Sequence, residues 1–362
     1  MTNPAPNQAN QASKQAPKQA PNQAPNQSSN QAPKKASKGL KLTGLIVLAL
    51  IAVALCPFLG AELIPLKAIM TPGHPEAEVF WALRVPRTIA AFLAGSGLAL
   101  GGMVFQALFR NPLATPYTLG VASGASLGAS VYFWLGISFL GGIGPLGASL
   151  LGAGLSMALV FLATRSQGGL STPVMLLAGV IVNFFFSSLV LFIQYLSSAS
   201  DSLRIIGWLM GSLVGLETAR LADLGFIVLT GGIVIRSLAP EIDLLVSGEE
   251  IAASRGVEVA RTKLIIFIVA SIMVGAIVSL TGPIGFVGLM VPQAARWVLG
   301  WSHRILTVAV FFLGGAYLAA ADLLARVILA PAEIPIGVIT ALAGGPFFLF
   351  TLFSVRRKGQ LL

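Results

Sequence analysis

The chain has 362 residues, of which 56% are hydrophobic and only 10% charged, whereas a water-soluble domain carries roughly 25% charged residues. That balance excludes a soluble globular monomer and makes a lipid bilayer the solvent. The net charge of +10 does not indicate nucleic acid, because the basic residues gather in the N-terminal tail and at the ends of apolar runs.

Residues 1–41 form a low-complexity tail of Gln, Ala, Pro, Asn, Ser and Lys, with Gln-Ala-Pro repeats starting at Gln15, Gln19, Gln23 and Gln31. So little apolar side chain cannot offset the entropy of ordering, and the tail is expected to be disordered and cytoplasmic. A membrane domain is expected over 42–356. It contains ten apolar runs, at 42–64, 88–109, 115–135, 143–164, 173–197, 218–236, 262–282, 284–300, 305–328 and 335–355. Most approach the ~20 residues that cross a hydrocarbon core. Backbone groups in lipid must be satisfied within their own segment, and the runs lack two-residue alternation, so the spans are expected to be helices. The run at 284–300 is the least regular, since it holds Gln293 and Arg296 and opens in glycines. The single cysteine, Cys56, lies in the first run and reads as a packing thiol, leaving no intramolecular disulfide.

An even number of spans puts both termini on one side. With that side cytoplasmic, 17 of the 23 Lys and Arg residues lie inside, while Lys67, Arg84, Arg87, Arg204, Arg220 and Arg326 lie outside. The positive-inside bias therefore places both ends, including the short tail 357–362, in the cytoplasm. Two loops do more than connect. The outer segment 198–217 contains Ile205–Met210 and reads as an interfacial helix. The inner segment 237–261 reads as a short polar helix pair, with Ser247 as an expected N-cap and Glu250 as its capping-box partner.

Chemistry-bearing patterns are few. There is no Gly-Lys dipeptide, so a phosphate-gripping P-loop is absent and the chain is not expected to hydrolyse ATP or to act as an enzyme. Gly97 with Gly101, and Gly120, Gly124 and Gly128, read as close helix contacts. His74 and His303 fall on opposite sides and cannot share a metal, and no metal site is expected. Asp223 and Asp322 lie near helix ends, and Asp322 is four residues before Arg326, which suits an intrahelical ion pair. Outer arginines run against the positive-inside bias, so Arg84, Arg87 and Arg326 invite an acidic partner docking from outside.

Three blocks then carry a resemblance. The first is Leu83-Arg84-Val85-Pro86-Arg87, Gly101-Gly102, Gln106 and Arg110-Asn111-Pro112-Leu113-Ala114-Thr115-Pro116 through Gly120. The second is Gly282-Pro283-Ile284-Gly285-Phe286-Val287-Gly288-Leu289-Met290-Val291-Pro292. The third is Ala321–Arg326 with Glu333–Val338 and Gly345-Pro346-Phe347-Phe348. Together they resemble the permeases of ABC importers for iron-siderophores, heme and vitamin B12, often called the FecCD family. The chain departs from that pattern at Gln293, where relatives usually have histidine after the proline.

The resemblance implies an all-α membrane fold of the type II ABC importer permease kind, with about ten helices per subunit. It implies a homodimer around a central pathway in the bacterial inner membrane. Two cytoplasmic ATPase subunits, which use ATP and Mg, would drive alternating access, and a periplasmic binding protein would deliver the cargo; the chain itself would bind no cofactor. It further implies that Arg84, Arg87 and Arg326 meet that binding protein. Coupling to the ATPase would run through Ser247, Gly248, Glu249, Glu250, Ala253, Arg255, Gly256 and Val257, in coupling helices at about 247–258. A cytoplasmic gate would form from Asn111, Leu113, Ser171 and Thr172. An ion-coupled secondary transporter is the alternative, and it would need a working intramembrane carboxylate.

Overall fold

The computed structural model describes residues 33–60, 64–71, 74–136, 143–165, 171–216 and 218–357. Among them there are helices and no strands. In chain order these are α1 (Pro33–Leu55), α2 (Leu66–Ile69), α3 (Pro75–Glu78), α4 (Val85–Leu108), α5 (Val121–Trp134), α6 (Ile143–Arg165), α7 (Thr172–Leu196) and α8 (Ala199–Leu209). They continue as α9 (Thr218–Ser237), α10 (Ala239–Ser247), α11 (Glu249–Ser254), α12 (Val259–Thr281), α13 (Val287–Leu299), α14 (His303–Val327) and α15 (Ile336–Arg357). A wide π-type turn, Val79–Arg84, joins α3 to α4 just before Pro86, whose ring removes a backbone donor.

Each of the ten apolar runs corresponds to one helix: α1, α4 to α7, α9, and α12 to α15. Among the described residues, seven helical stretches are long and apolar enough to cross a membrane. Two of the remaining helices are short: α5 has 14 residues and α13 has 13. At 1.5 Å per residue they cover only about 20 Å of a hydrocarbon core that is about 30 Å thick. Irregular segments, 109–120 and 282–286, lead into them, and each ends on a left-handed residue: Gly120 at φ 79° and Phe286 at φ 66°. Irregular backbone at that depth must find partners within the protein. The Tyr117 hydroxyl supplies them, donating to the Ile284 carbonyl at 2.6 Å and accepting from the Ile284 N–H at 2.7 Å. Gln106 Nε2 adds a bond to the Gly288 carbonyl at 3.0 Å.

α4 is the central post. Nearly every side chain from Ala90 to Leu108 is buried, and α9, α12, α13 and α14 pack around it. Lipid offers no hydrophobic drive between helices, so contact relies on close backbone approach through small residues. A Cβ on Gly102 would come within 1.9 Å of the Gly288 carbonyl oxygen, and one on Gly95 within 2.2 Å of the Gly314 carbonyl oxygen. Gly124 meets Gly152 and Gly128 meets Ala148 in the same way between α5 and α6. The glycines therefore act as helix contacts, as their spacing suggests.

Two local expectations are corrected. Residues 33–41, assigned to the disordered tail, are helical and continue α1, since Lys and Ala favour a helix once an apolar span follows; residues 1–32 lie outside the described residues. Ser247 does not cap α11. It ends α10 with its hydroxyl donating to the Asp243 carbonyl, and Gly248, at φ 139°, takes the N-cap position without a side-chain bond. The glycine makes a corner that a serine at the cap would not need. The short helix expected within 198–217 is α8, capped by Ser198, whose hydroxyl accepts from the Asp201 N–H at 3.2 Å.

Candidate functional site

α4 separates two candidate sites. Arg87 lies in its first turn and Arg110 just beyond its last, and the helix between them is about 36 Å long.

At the Arg87 end, the three arginines singled out by sequence line one open cavity of 470 Å³, together with Gly60, Leu213, Pro331 and Glu333. They are not free cations. Arg87 Nε donates to both Asp322 oxygens, at 2.9 and 3.1 Å, and Arg87 Nη1 donates to Glu333 at 2.9 and 3.1 Å. Arg326 Nε lies 3.1 Å from Asp322, the intrahelical pair that the i, i+4 spacing suggests. Asp322 is 1% exposed and Arg326 9%. A buried carboxylate between two guanidinium groups is compensated, and removing either side would strand a charge. Arg84 Nη1 donates to the Pro57 carbonyl at 3.3 Å, and its guanidinium rests against Gly60, where a Cβ would approach to 2.8 Å. Among the described residues, Arg326 Nη2 is buried without a hydrogen-bond partner. Three guanidinium groups and the Glu333 carboxylate line this cavity, with Asp322 buried behind them.

At the opposite end, α10 and α11 form the expected helix pair. Glu250, Ala253, Arg255 and Gly256 are exposed, Gly256 at φ 83°, and Val257 is half-buried beside them. An open cleft of 490 Å³ runs past Arg255, Gly256 and Val257 to Pro240 and Glu241 of α10. Glu241 has one buried oxygen without a partner, a feature that nothing in its sequence context marks. The pair is fastened from beneath. Asp243 Oδ1 accepts from the His303 N–H at 2.9 Å and lies 2.6 Å from His303 Nδ1, at the start of α14. Glu249 turns inward to Lys263, Thr172 and Arg110.

The residues expected to form a gate, Asn111, Leu113, Ser171 and Thr172, stand beside this fastening. Asn111 Oδ1 accepts from the Leu113 N–H at 2.9 Å, a compact turn that leaves the Leu113 side chain 57% exposed. Ser171 is exposed at the N-cap of α7 and Thr172 is buried. Glu249 brings the Arg110 segment and the start of α7 together, a long-range contact that sequence spacing does not reveal. Gln293, at the family's usual histidine position, is 9% exposed within α13.

The carboxylate needed for ion-coupled transport is not available in a simple form. Asp322 is held by two arginines, and Asp223 is 68% exposed beside Arg220. Among the described residues, no group of three or more His, Cys, Asp or Glu side chains could hold a metal.

A helical membrane domain with two short helices entered through irregular backbone, a charged cavity at one end and a fastened helix pair at the other has the architecture of a transport permease. The chain belongs to the FecCD transport family, whose pattern matches residues 46–354. It is 38% identical over 282 residues to the cobalamin import system permease protein BtuC of Halobacterium salinarum, covering 77% of this chain and 75% of that protein. It is 34% identical over 286 residues to the molybdate import system permease protein MolB of Haemophilus influenzae, covering 79% and 84%. A solved structure described as an inward-facing metal-chelate type ABC transporter superposes with a TM-score of 0.79 at 31% identity, covering 87% of this chain and 99% of that one. The fold is thus that of a type II ABC importer permease, and the chain is a multi-pass membrane protein whose relatives are ABC transporter permeases.

Proposed function

We propose that two copies of this chain enclose a central pathway and import a bulky chelate across the bacterial inner membrane by ATP-driven alternating access. Both termini are cytoplasmic in this reading. Two ATPase subunits, which bind ATP and Mg, dock on α10 and α11; the permease carries no cofactor of its own. A periplasmic binding protein docks at the cavity of Arg84, Arg87 and Arg326, whose guanidinium groups suit acidic side chains. Ferric siderophore is the first candidate cargo, with heme and cobalamin next. The relative that imports molybdate widens the range to a small oxyanion.

The observation that carries this reading is the helix pair. Its outer face is exposed beside a cleft, and its inner face is tied by Asp243 to α14 and by Glu249 to α12 and α7. A docked subunit that moves α10 and α11 would therefore move membrane helices as rigid bodies. Pull-down of the detergent-solubilised chain, expressed with its genomic neighbours, tests the assignment. An ATPase subunit should co-elute in equal amount, and Glu250→Lys with Ala253→Glu should abolish that co-elution. A chain that elutes alone under the same conditions contradicts it.

A further inference from the structure

Side chains from three other segments converge on one carboxylate oxygen of Glu249. Glu249 Oε1, at the start of α11, lies 2.6 Å from Lys263 Nζ on α12. It accepts a hydrogen bond from the Thr172 hydroxyl at the start of α7, at 3.3 Å, and stands 3.6 Å from Arg110 Nη2. Lys263 Nζ also donates to Thr172 Oγ1 at 3.1 Å, which closes the triangle.

An acidic residue in the first turn of a helix needs no partner beyond the helix itself. Glu249 does more than cap α11. Its side chain, 37% exposed, reaches Lys263, which is 3% exposed, and a buried ammonium without an anion is costly. Arg110 reaches the same oxygen from a backbone at φ 47°, a region that residues with a side chain rarely occupy. Burial alone would raise the Glu249 carboxyl. The hydrogen bond and charge of Lys263, then Thr172 and Arg110, outweigh it and hold the group below the ordinary glutamate value, so it is anionic at neutral pH.

We propose that Glu249 is a positioning residue that ties the coupling segment α11 directly to the gate at Thr172, with Lys263 as its fixed counter-charge and Arg110 as the tie to the Asn111–Leu113 turn. The inference rests on the permease reading and adds the route by which displacement of α11 reaches the gate. The Thr172 bond, at 3.3 Å, is already near the limit of hydrogen-bond length. A small outward movement of α11 must therefore either carry the end of α7 along or release it, and both change the gate.

The test uses the full chain with its ATPase subunit and a single reporter, Ser171→Cys, in a Cys56→Ala background. A membrane-impermeant maleimide reads gate exposure with and without Mg-ATP. Glu249→Gln, Thr172→Val and the double variant are compared, and Glu249→Asp, which keeps the charge, controls for folding. The tie predicts that each single variant cuts the nucleotide-driven change in labelling rate by about ten-fold, and that the double variant is no worse than either. A Glu249→Gln variant that responds like the parent, or single effects that simply multiply, overturns the inference while leaving the permease reading intact. If the parent neither binds an ATPase nor responds to nucleotide, the permease reading is what fails. The tie is then judged on labelling without nucleotide, where Glu249→Gln must change the rate by at least about three-fold, and an unchanged rate overturns it.

Discussion

Arg87 and Asp322 lie 235 positions apart in the chain and meet at 2.9 Å, with Asp322 almost wholly buried. Because Arg326 shares the same carboxylate, Asp322 fixes two of the three arginines that line the cavity at that end. The arrangement binds the antiparallel pair α4 and α14 at the end remote from α10 and α11.

Removing that carboxylate should be costly. Asp322→Asn leaves Arg326 without its carboxylate and Arg87 with Glu333 alone, a loss of about 3–5 kcal/mol for a broken buried pair. Thermal unfolding in detergent, followed by size-exclusion chromatography, should show a large drop in midpoint. An unchanged midpoint would mean that water already compensates the arginines.

The same geometry separates two roles that the sequence presents together. Reversing Arg87 or Arg326 would place a third carboxylate beside Asp322 and Glu333, mixing stability with docking. Arg84 donates to the Pro57 carbonyl and is not bonded to Asp322 or Glu333, so Arg84→Glu probes docking without breaking that cluster. It should weaken binding-protein affinity by about ten-fold at low salt, as expected for a lost charged contact. Equal affinity for parent and variant would remove Arg84 from the docking surface.

Gly102 reports on packing. Its substitution by Ala would set a Cβ 1.9 Å from the Gly288 oxygen, in backbone that cannot yield cheaply. A loss of about 1–3 kcal/mol is expected, as for overpacked cores. Gly147→Ala, with nothing within 4 Å, should be neutral or slightly stabilising. Comparing the two midpoints checks the claim, and equal midpoints would contradict it.

Glu249 gives a pH dependence with a definite sign. Its folded pKa is depressed, so its contribution is fully present above the unfolded glutamate value of about 4.3 and is lost as pH falls through the lower folded value. The gap in midpoint between the parent and Glu249→Gln should stay level from about pH 8 to pH 5 and close only below about pH 4. A gap that closes near neutrality would show that another group governs the contact.

The ten helices were legible because each apolar run is its own signal, and Asp322 with Arg326 was legible because four residues of helix put them on one face. What stayed hidden depends on partners far along the chain. Arg87 with Glu333, Glu249 with Thr172, and Tyr117 with Ile284 are set by how helices pack, which no local spacing encodes. Ser247 misled for a local reason. A serine three residues before a glutamate matches a capping box, yet Gly248 permits a corner at φ 139° that shifts the helix start by one residue. The tail was misjudged over 33–41 because composition does not show that a following span can extend helix backward.

ATP dependence of transport tests the central claim most directly. The chain would be reconstituted in proteoliposomes with its ATPase subunit and binding protein, and offered ferric siderophore, heme, cobalamin and molybdate in turn. The account predicts that uptake of one of these requires ATP on the ATPase side, stops with a hydrolysis-dead ATPase, and persists when ion gradients are collapsed. Uptake by the chain alone, driven by a proton or sodium gradient and lost on Asp223→Asn or Asp322→Asn, would contradict it.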